Sequence, residues 1–191
     1  MSEIDLLDGI MTKTGDLIAG VDASARPDPT PCTEMDVAAM VDHLVGWAPS
    51  FAAGAQGTTY EGDPTAVGAG DDPASEFRAL AADIVDGWRK HGLDRTTSMG
   101  GGEQPAEMVF NMTLMEYLTH GWDLAVGSGQ EVPFTEDEAA QVLARAKVTL
   151  PPQYRGDDMP FGEIVPVPDT APAIDRLAGF MGRDPSAATR R

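Results

Sequence analysis

The chain of 191 residues carries 31 acidic and 13 basic side chains, for a net charge of −18, and 42% of it is hydrophobic. That apolar share suits a folded domain with a core of its own, while the acidic excess opposes phosphate backbones and anionic lipid, so nucleic-acid and membrane-surface binding are set aside. A single cysteine allows no intrachain disulfide, and the sequence shows neither a secretory leader nor an apolar run of membrane length, which together predict a cytoplasmic protein.

From about Glu3 to Val21, the residues Ile4, Leu7, Met11, Thr14, Ile18 and Val21 recur in steps of three and four, which predicts an amphipathic helix. Pro27, Pro29 and Pro31 forbid its continuation. Thr33 and Asp36 have the form of a capping box, with Thr33 as N-cap, and open a helix to about residue 53. Its stripe is Val37, Met40, Val41, Leu44, Val45 and Ala48; Pro49 ends or kinks it, and His43 lies inside it. Residues 54–75, rich in Gly, Asp, Pro and Thr, read as a long surface loop. A third helix runs from Pro73 through Phe77, Leu80, Ile84 and Trp88 to His91, where Gly92 suits the C′ position and His91 the dipole. Ser98 to Gly102 reads as a flexible connector.

Pro105 is placed to open a fourth helix at N1, ending near Gly127. Thr135 and Glu138 form a second capping box, before a helix that Pro151 stops. Residues 153–172 read as irregular, with Val165 to Pro168 extended; residues 172–181 give a short last helix, and 182–191 a loose tail. Strand signals are weak throughout, so an all-α, up-and-down bundle is expected. The division predicted is a four-helix bundle over 1–130 and a short C-terminal helical extension over 131–191 packed on it.

The fourth helix carries the chemistry. Glu116 and His120 are four residues apart, hence on one face and one turn apart, and a carboxylate and an imidazole so placed can share a divalent ion. A third donor must come from elsewhere. His43, in a helix, is a better candidate than His91, at a helix end. Asp123 either orients the second ring nitrogen of His120 or stands as a solvated helix-end charge. The plain alternative is two core histidines and a carboxylate in a salt bridge, which the apolar neighbours Met115 and Leu118 weaken. Cys32 reads as a small buried side chain, too far along a helix from His43 to share its ion: ten helical residues span roughly 15 Å. Trp47 and Trp122 read as core packing, or as the lining of a pocket. Met108, Met112 and Met115 read as gap-filling core.

Three stretches carry a resemblance: Pro29 to Glu34, Asp42-His-Leu-Val-Gly46, and Glu116-Tyr-Leu-Thr-His-Gly-Trp-Asp-Leu-Ala125. Together they resemble the mycothiol-dependent maleylpyruvate isomerase family, within the DinB/YfiT-like metal-binding superfamily. Phe161 to Asp169 and Gly182-Arg-Asp-Pro185 are similar to an actinobacterial metal-binding subgroup of it. Met35 stands where such sequences commonly have Trp, and a shorter stretch follows the bundle than in the isomerase proper. The resemblance implies a DinB-like four-helix bundle with a zinc-type ion, or nickel, on His43, Glu116 and His120. It implies a small-molecule substrate, mycothiol or another small thiol as partner, and a monomer or homodimer. A metal lowers the pKa of a bound thiol, so the thiolate can add to an activated double bond and isomerise it, or displace a leaving group in S-transfer. The other reading is a non-catalytic metal- or ligand-binding protein of the same fold.

Overall fold

The computed structural model describes residues 2–156 and 161–188. Helix α1 (Glu3–Ala19) starts at a capping box in which Ser2 and Asp5 each accept from the other's backbone N–H. Helix α2 (Val37–Gln56) starts three residues later than the Thr33 cap predicts: Asp36 itself is the N-cap, accepting from Ala39 N–H at 2.8 Å. Pro49 sits inside α2 without ending it. Helix α3 (Pro73–His91) has Asp72 as its cap and Gly92, at φ 66°, after its end.

The expected connector at 98–102 is instead the turn of a hairpin, β1 (Thr96–Met99) paired antiparallel with β2 (Gly102–Pro105). Gly100 and Gly101 both have positive φ, 63° and 79°, as a two-residue type I′ loop requires. The three glycines that look flexible in the sequence therefore close a tight turn. The hairpin also finishes α2, since Arg95 donates to the Gly54 and Ala55 carbonyls and Thr97 to the Gly54 carbonyl. These are the orphan acceptors of a helix end.

Helix α4 (Ala106–Gly127) follows directly, with Pro105 as cap rather than first turn. Helices α1 and α2 each pack against both α3 and α4, giving a four-helix bundle in which only α2 and α3 are neighbours both in sequence and in space. Those two come close enough that a Cβ on Gly87 would lie 2.9 Å from the Ala55 backbone. Helix α5 (Glu136–Thr149) opens at the Thr135 capping box, and its N3 residue Glu138 also takes a salt bridge from Lys13 of α1. It packs on α4 and on α6 (Ala173–Phe180).

A single apolar core runs through all of these, with Leu7, Ile10, Met40, Leu44, Ile84, Leu114 and Leu118 essentially inaccessible. Helix α4 is buried on most of its circumference, because α1, α2 and α5 all pack on it. Any polar side chain it carries must therefore find a partner. Residues 182–188 are not a loose tail: Gly182 and Arg183 lie against the bundle, and α7 (Pro185–Ala188) is a closing turn. The rest of the predicted tail, 189–191, lies outside the described residues, as do 157–160 of the predicted irregular stretch. No helix among the described residues is long and apolar enough to cross a membrane.

Candidate metal centre

The structure brings His43, from the seventh position of α2, to the pair Glu116 and His120 on α4, with one donor atom from each residue within 4.8 Å of the others. His43 Nε2 is 2.7 Å from Glu116 Oε1, and His120 Nε2 is 3.8 Å from Glu116 Oε2. The two imidazoles meet edge to face, with centroids 4.7 Å apart. The side chains of His43, Glu116 and His120 are 24%, 19% and 13% exposed, so solvent reaches the cluster from one side. Trp47, one turn past His43 and tilted against its ring, flanks that opening with Phe51 behind it. His91 is exposed at the end of α3 and takes no part.

The electrostatics keep the carboxylate charged. Burial alone would raise the Glu116 carboxyl, but the field of His120, the hydrogen bond and charge of His43, and the charge of Arg183 outweigh it and hold the group down at about 2. Burial likewise disfavours a charged His43, yet its hydrogen bond and attraction to Glu116 prevail and leave it raised above its ordinary value. Two neutral imidazole nitrogens and one carboxylate are a hard-to-borderline donor set that suits zinc or nickel. Zinc bonds of about 2.0–2.2 Å put neighbouring donors roughly 3.3 Å apart. The observed 2.7 Å to Oε1 and 3.8 Å to Oε2 lie on either side of that value, and all three donors fall within 4.8 Å of one another, so the residues are grouped as a shared ion requires.

The other face of His120 is as closely made. Asp123, one turn on, is fully buried, and its Oδ2 lies 3.1 Å from His120 Nδ1. It is no solvated helix-end charge. Arg183 reaches it from beyond α6, its Nη2 and Nε at 3.0 and 3.2 Å from Oδ2 and its Nη1 at 2.6 Å from the Met181 carbonyl. Burial opposes the Arg183 charge, and Asp123 more than restores it.

Cys32 also lies here: its sulfur, an Asp123 oxygen and a His120 nitrogen fall within 4.8 Å of one another. Cys32 and His43 fall in different groups, although the segment 32–36 between Cys32 and α2 is not helix. A bridge between Pro29 and Asp36, with Thr30 Oγ1 donating to the Cys32 and Met35 carbonyls, folds the segment back toward α4. Gly127 makes room for it; a Cβ there would lie 2.8 Å from Thr30 Cγ2. Burial raises the Cys32 thiol against the pull of Arg183. A cation for this second cluster is already present as the Arg183 guanidinium, which argues against a second ion.

The segment between α2 and α3 forms the neighbouring wall. Asp42 accepts from Ala69 N–H at 2.9 Å, and Gly46 is approached so closely that a Cβ would lie 2.6 and 2.7 Å from the Pro64 and Val67 carbonyl oxygens. Both residues sit on the α2 face beside His43 and Trp47.

The sequence reading missed Arg183. A buried carboxylate in an apolar helix calls for a cation, and of 13 basic residues the one signal for Arg183 is its place in the Gly182-Arg-Asp-Pro185 stretch that carries the resemblance, which does not say what it pairs with.

The model of the mycothiol maleylpyruvate isomerase N-terminal domain matches residues 7–125, which include His43, Glu116, His120 and Asp123. An uncharacterized protein of Mycobacterium tuberculosis strain H37Rv is 31% identical over 167 residues, covering 87% of this chain and 90% of the relative; its counterpart in strain CDC 1551 gives the same figures. The crystal structure of a histidine-to-alanine mutant of the mycothiol-dependent maleylpyruvate isomerase superposes with a TM-score of 0.54 at 15% identity, over 74% of this chain and 68% of that one, so the two share a fold.

Proposed function

We propose, from the premise that the chain belongs to the mycothiol maleylpyruvate isomerase N-terminal domain family, that it is a metal-dependent enzyme using a small thiol, mycothiol in the first place, for isomerisation or S-transfer on a small molecule. The observation that carries this reading is the convergence of His43, Glu116 and His120 on one half-exposed point. A closed structural metal site has four protein donors, whereas three donors with one side open leave room for an exchangeable ligand.

Charge supports the same reading. Asp123 and Arg183 cancel each other, so Glu116 supplies the one net negative charge near the donors. A divalent ion there has one positive charge left over, which one anionic sulfur balances. The ion supplies Lewis acidity that keeps a thiol deprotonated at neutral pH. Glu116 and the two imidazoles hold the ion, and Asp123 fixes the His120 ring so that Nε2 faces Glu116. Trp47 offers an apolar flank for the substrate. In this reading residues 1–130 carry the donors, and 131–191 are an extension that closes over one side of them.

Elemental analysis of the purified protein, followed by calorimetric titration of mycothiol into the metal-loaded and the metal-free protein, tests the proposal. The expected result is about one zinc or nickel per chain and heat of thiol binding only when metal is present. Metal without thiol binding leaves a non-catalytic metal-binding protein; no metal at all removes the enzyme reading.

A further inference from the structure

We infer that Arg183 is a positioning residue for the metal site, acting on His120 through Asp123, so that docking of the C-terminal segment and metal binding favour each other. This rests on the metal reading above, and it concerns a residue that lies outside the 7–125 stretch matched by the family model.

The argument begins with how Arg183 is placed. Helix α6 ends in a Schellman motif, with the Arg183 N–H donating to the Ala178 carbonyl at 2.9 Å and the Gly182 N–H to the Gly179 carbonyl at 3.1 Å. Gly182 takes the required left-handed conformation at φ 86°. The segment before α6 locks this turn: Val165 N–H donates to the Gly179 carbonyl, and Gly162 packs against Gly182. The backbone therefore delivers Arg183 in a set direction.

The second part is what the guanidinium meets. Two of its nitrogens converge on Asp123 Oδ2, the same oxygen that faces His120 Nδ1, and Nη2 is 3.3 Å from that nitrogen. Two guanidinium donors fix Oδ2 in place as an acceptor. The His120 proton is assigned to Nδ1, as the third donor to Oδ2, because the 3.1 Å approach to Oδ2 is shorter than the 3.3 Å approach of Nη2. A proton fixed on Nδ1 leaves Nε2 with a free lone pair, and Nε2 is the nitrogen that faces Glu116. Without Arg183, Asp123 Oδ2 keeps only the imidazole as partner and is no longer held in the position that orients the His120 ring. Such outer partners of a ligating histidine are typically worth about 10–100-fold in metal affinity. Coupling between two binding events is reciprocal, so metal must in turn strengthen the docking of the α6 end.

The test uses the full chain, its Arg183→Gln and Arg183→Lys variants, and Gly182→Ala, which keeps the guanidinium but strains the turn that aims it. Zinc affinity is measured by chelator competition at pH 7.5, and amide exchange of residues 179–184 is followed with and without zinc. We expect Arg183→Gln to weaken zinc binding about 10–100-fold, with Arg183→Lys recovering part of the loss and Gly182→Ala losing less than Arg183→Gln. Zinc should slow exchange at 179–184 in the parent and not in Arg183→Gln. Cobalt absorption of the loaded protein reports the same donor set independently. A residue that only holds the segment down would lower the melting temperature and leave zinc affinity and the cobalt spectrum alone. Equal zinc affinity in parent and all variants overturns the inference while leaving the metal reading intact; a parent that binds no zinc overturns both. If Arg183→Gln fails to fold, Gly182→Ala and Arg183→Lys decide alone, and parental affinity in both of these overturns it.

Discussion

His120 stands between two carboxylates of its own helix that are neutralised in different ways. On its Nε2 side Glu116 meets His43, and on its Nδ1 side Asp123 meets Arg183. Asp123 is inaccessible and Arg183 is 11% exposed, whereas Glu116 and His43 are 19% and 24% exposed. A guanidinium keeps its charge at every working pH and bonds through a planar fork, so the Asp123 side is permanently closed. Imidazoles give up their protons near neutrality, so the Glu116 side can exchange protons for another cation. The contrast teaches where a ligand can enter. In the proposed reading, the cluster whose countercharge is permanent is the scaffold, and the one whose countercharge is replaceable is the site.

The largest expected effect comes from breaking the closed side. Asp123→Ala strands the Arg183 charge, and removal of one partner of a buried pair costs about 3–5 kcal/mol; urea unfolding of the metal-free protein measures it. A loss under about 1 kcal/mol would show that the two sides are not different in kind.

Glu116→Gln breaks the open side with little change of shape. Metal affinity should fall by more than the roughly 10–100-fold expected for an outer partner. Stability of the metal-free protein at pH 8 should move by about 1 kcal/mol or less, since Gln still offers His43 an acceptor. Calorimetry with zinc and urea melts of the same sample separate the two quantities.

A pH series sharpens the comparison further. Glu116 titrates at about 2 in the folded chain against an ordinary 4.5, so its contribution is whole above 4.5 and lost as pH falls toward 2. His43 is raised above 6.5, so its contribution is whole below 6.5 and fades as pH rises through its higher folded value. The pair thus stabilises the metal-free fold most between 4.5 and 6.5. Metal affinity runs the opposite way, dropping about tenfold per pH unit below the folded pKa of His43 because the ligand must lose its proton. In His43→Gln the fading of stability as pH rises through the His43 value should vanish, while the loss toward pH 2 should shrink and persist, because His120 and Arg183 still hold Glu116 down.

The smallest effect is expected at Cys32. It lies on the closed side, where Arg183 already supplies the cation, so Cys32→Ala should change zinc affinity by no more than about 0.5 kcal/mol. A loss matching that of His43→Gln would move Cys32 onto the metal and redraw the site.

The bundle helices were legible because each repeats apolar residues in steps of three and four: Phe77, Ile84 and Trp88 of α3 show this plainly, and every one is buried. Caps were legible where the residue bonds its own helix, as at Thr135. The start of α2 was misplaced because Thr33 and Asp36 both have cap chemistry. The bridge from Pro29 to Asp36 chose the second, by holding residues 29–36 in a folded-back loop. The hairpin escaped notice because three consecutive glycines look the same in a mobile linker and in a type I′ turn. Arg95 and Thr97, which bond the end of α2, decide between them only in three dimensions.

By itself, then, the sequence determined a helical chain, the i, i+4 placement of Glu116 and His120, and the candidacy of His43, since local periodicity and capping act within a few residues. Tertiary structure alone decided that His43 lies 2.7 Å from Glu116, that Asp123 is buried behind His120, and that Arg183 returns from 60 residues away to neutralise it. Those are outcomes of packing four helices and a C-terminal turn around one core. The identity of a buried charge's partner depends on which surfaces meet, and spacing along the chain carries no record of that.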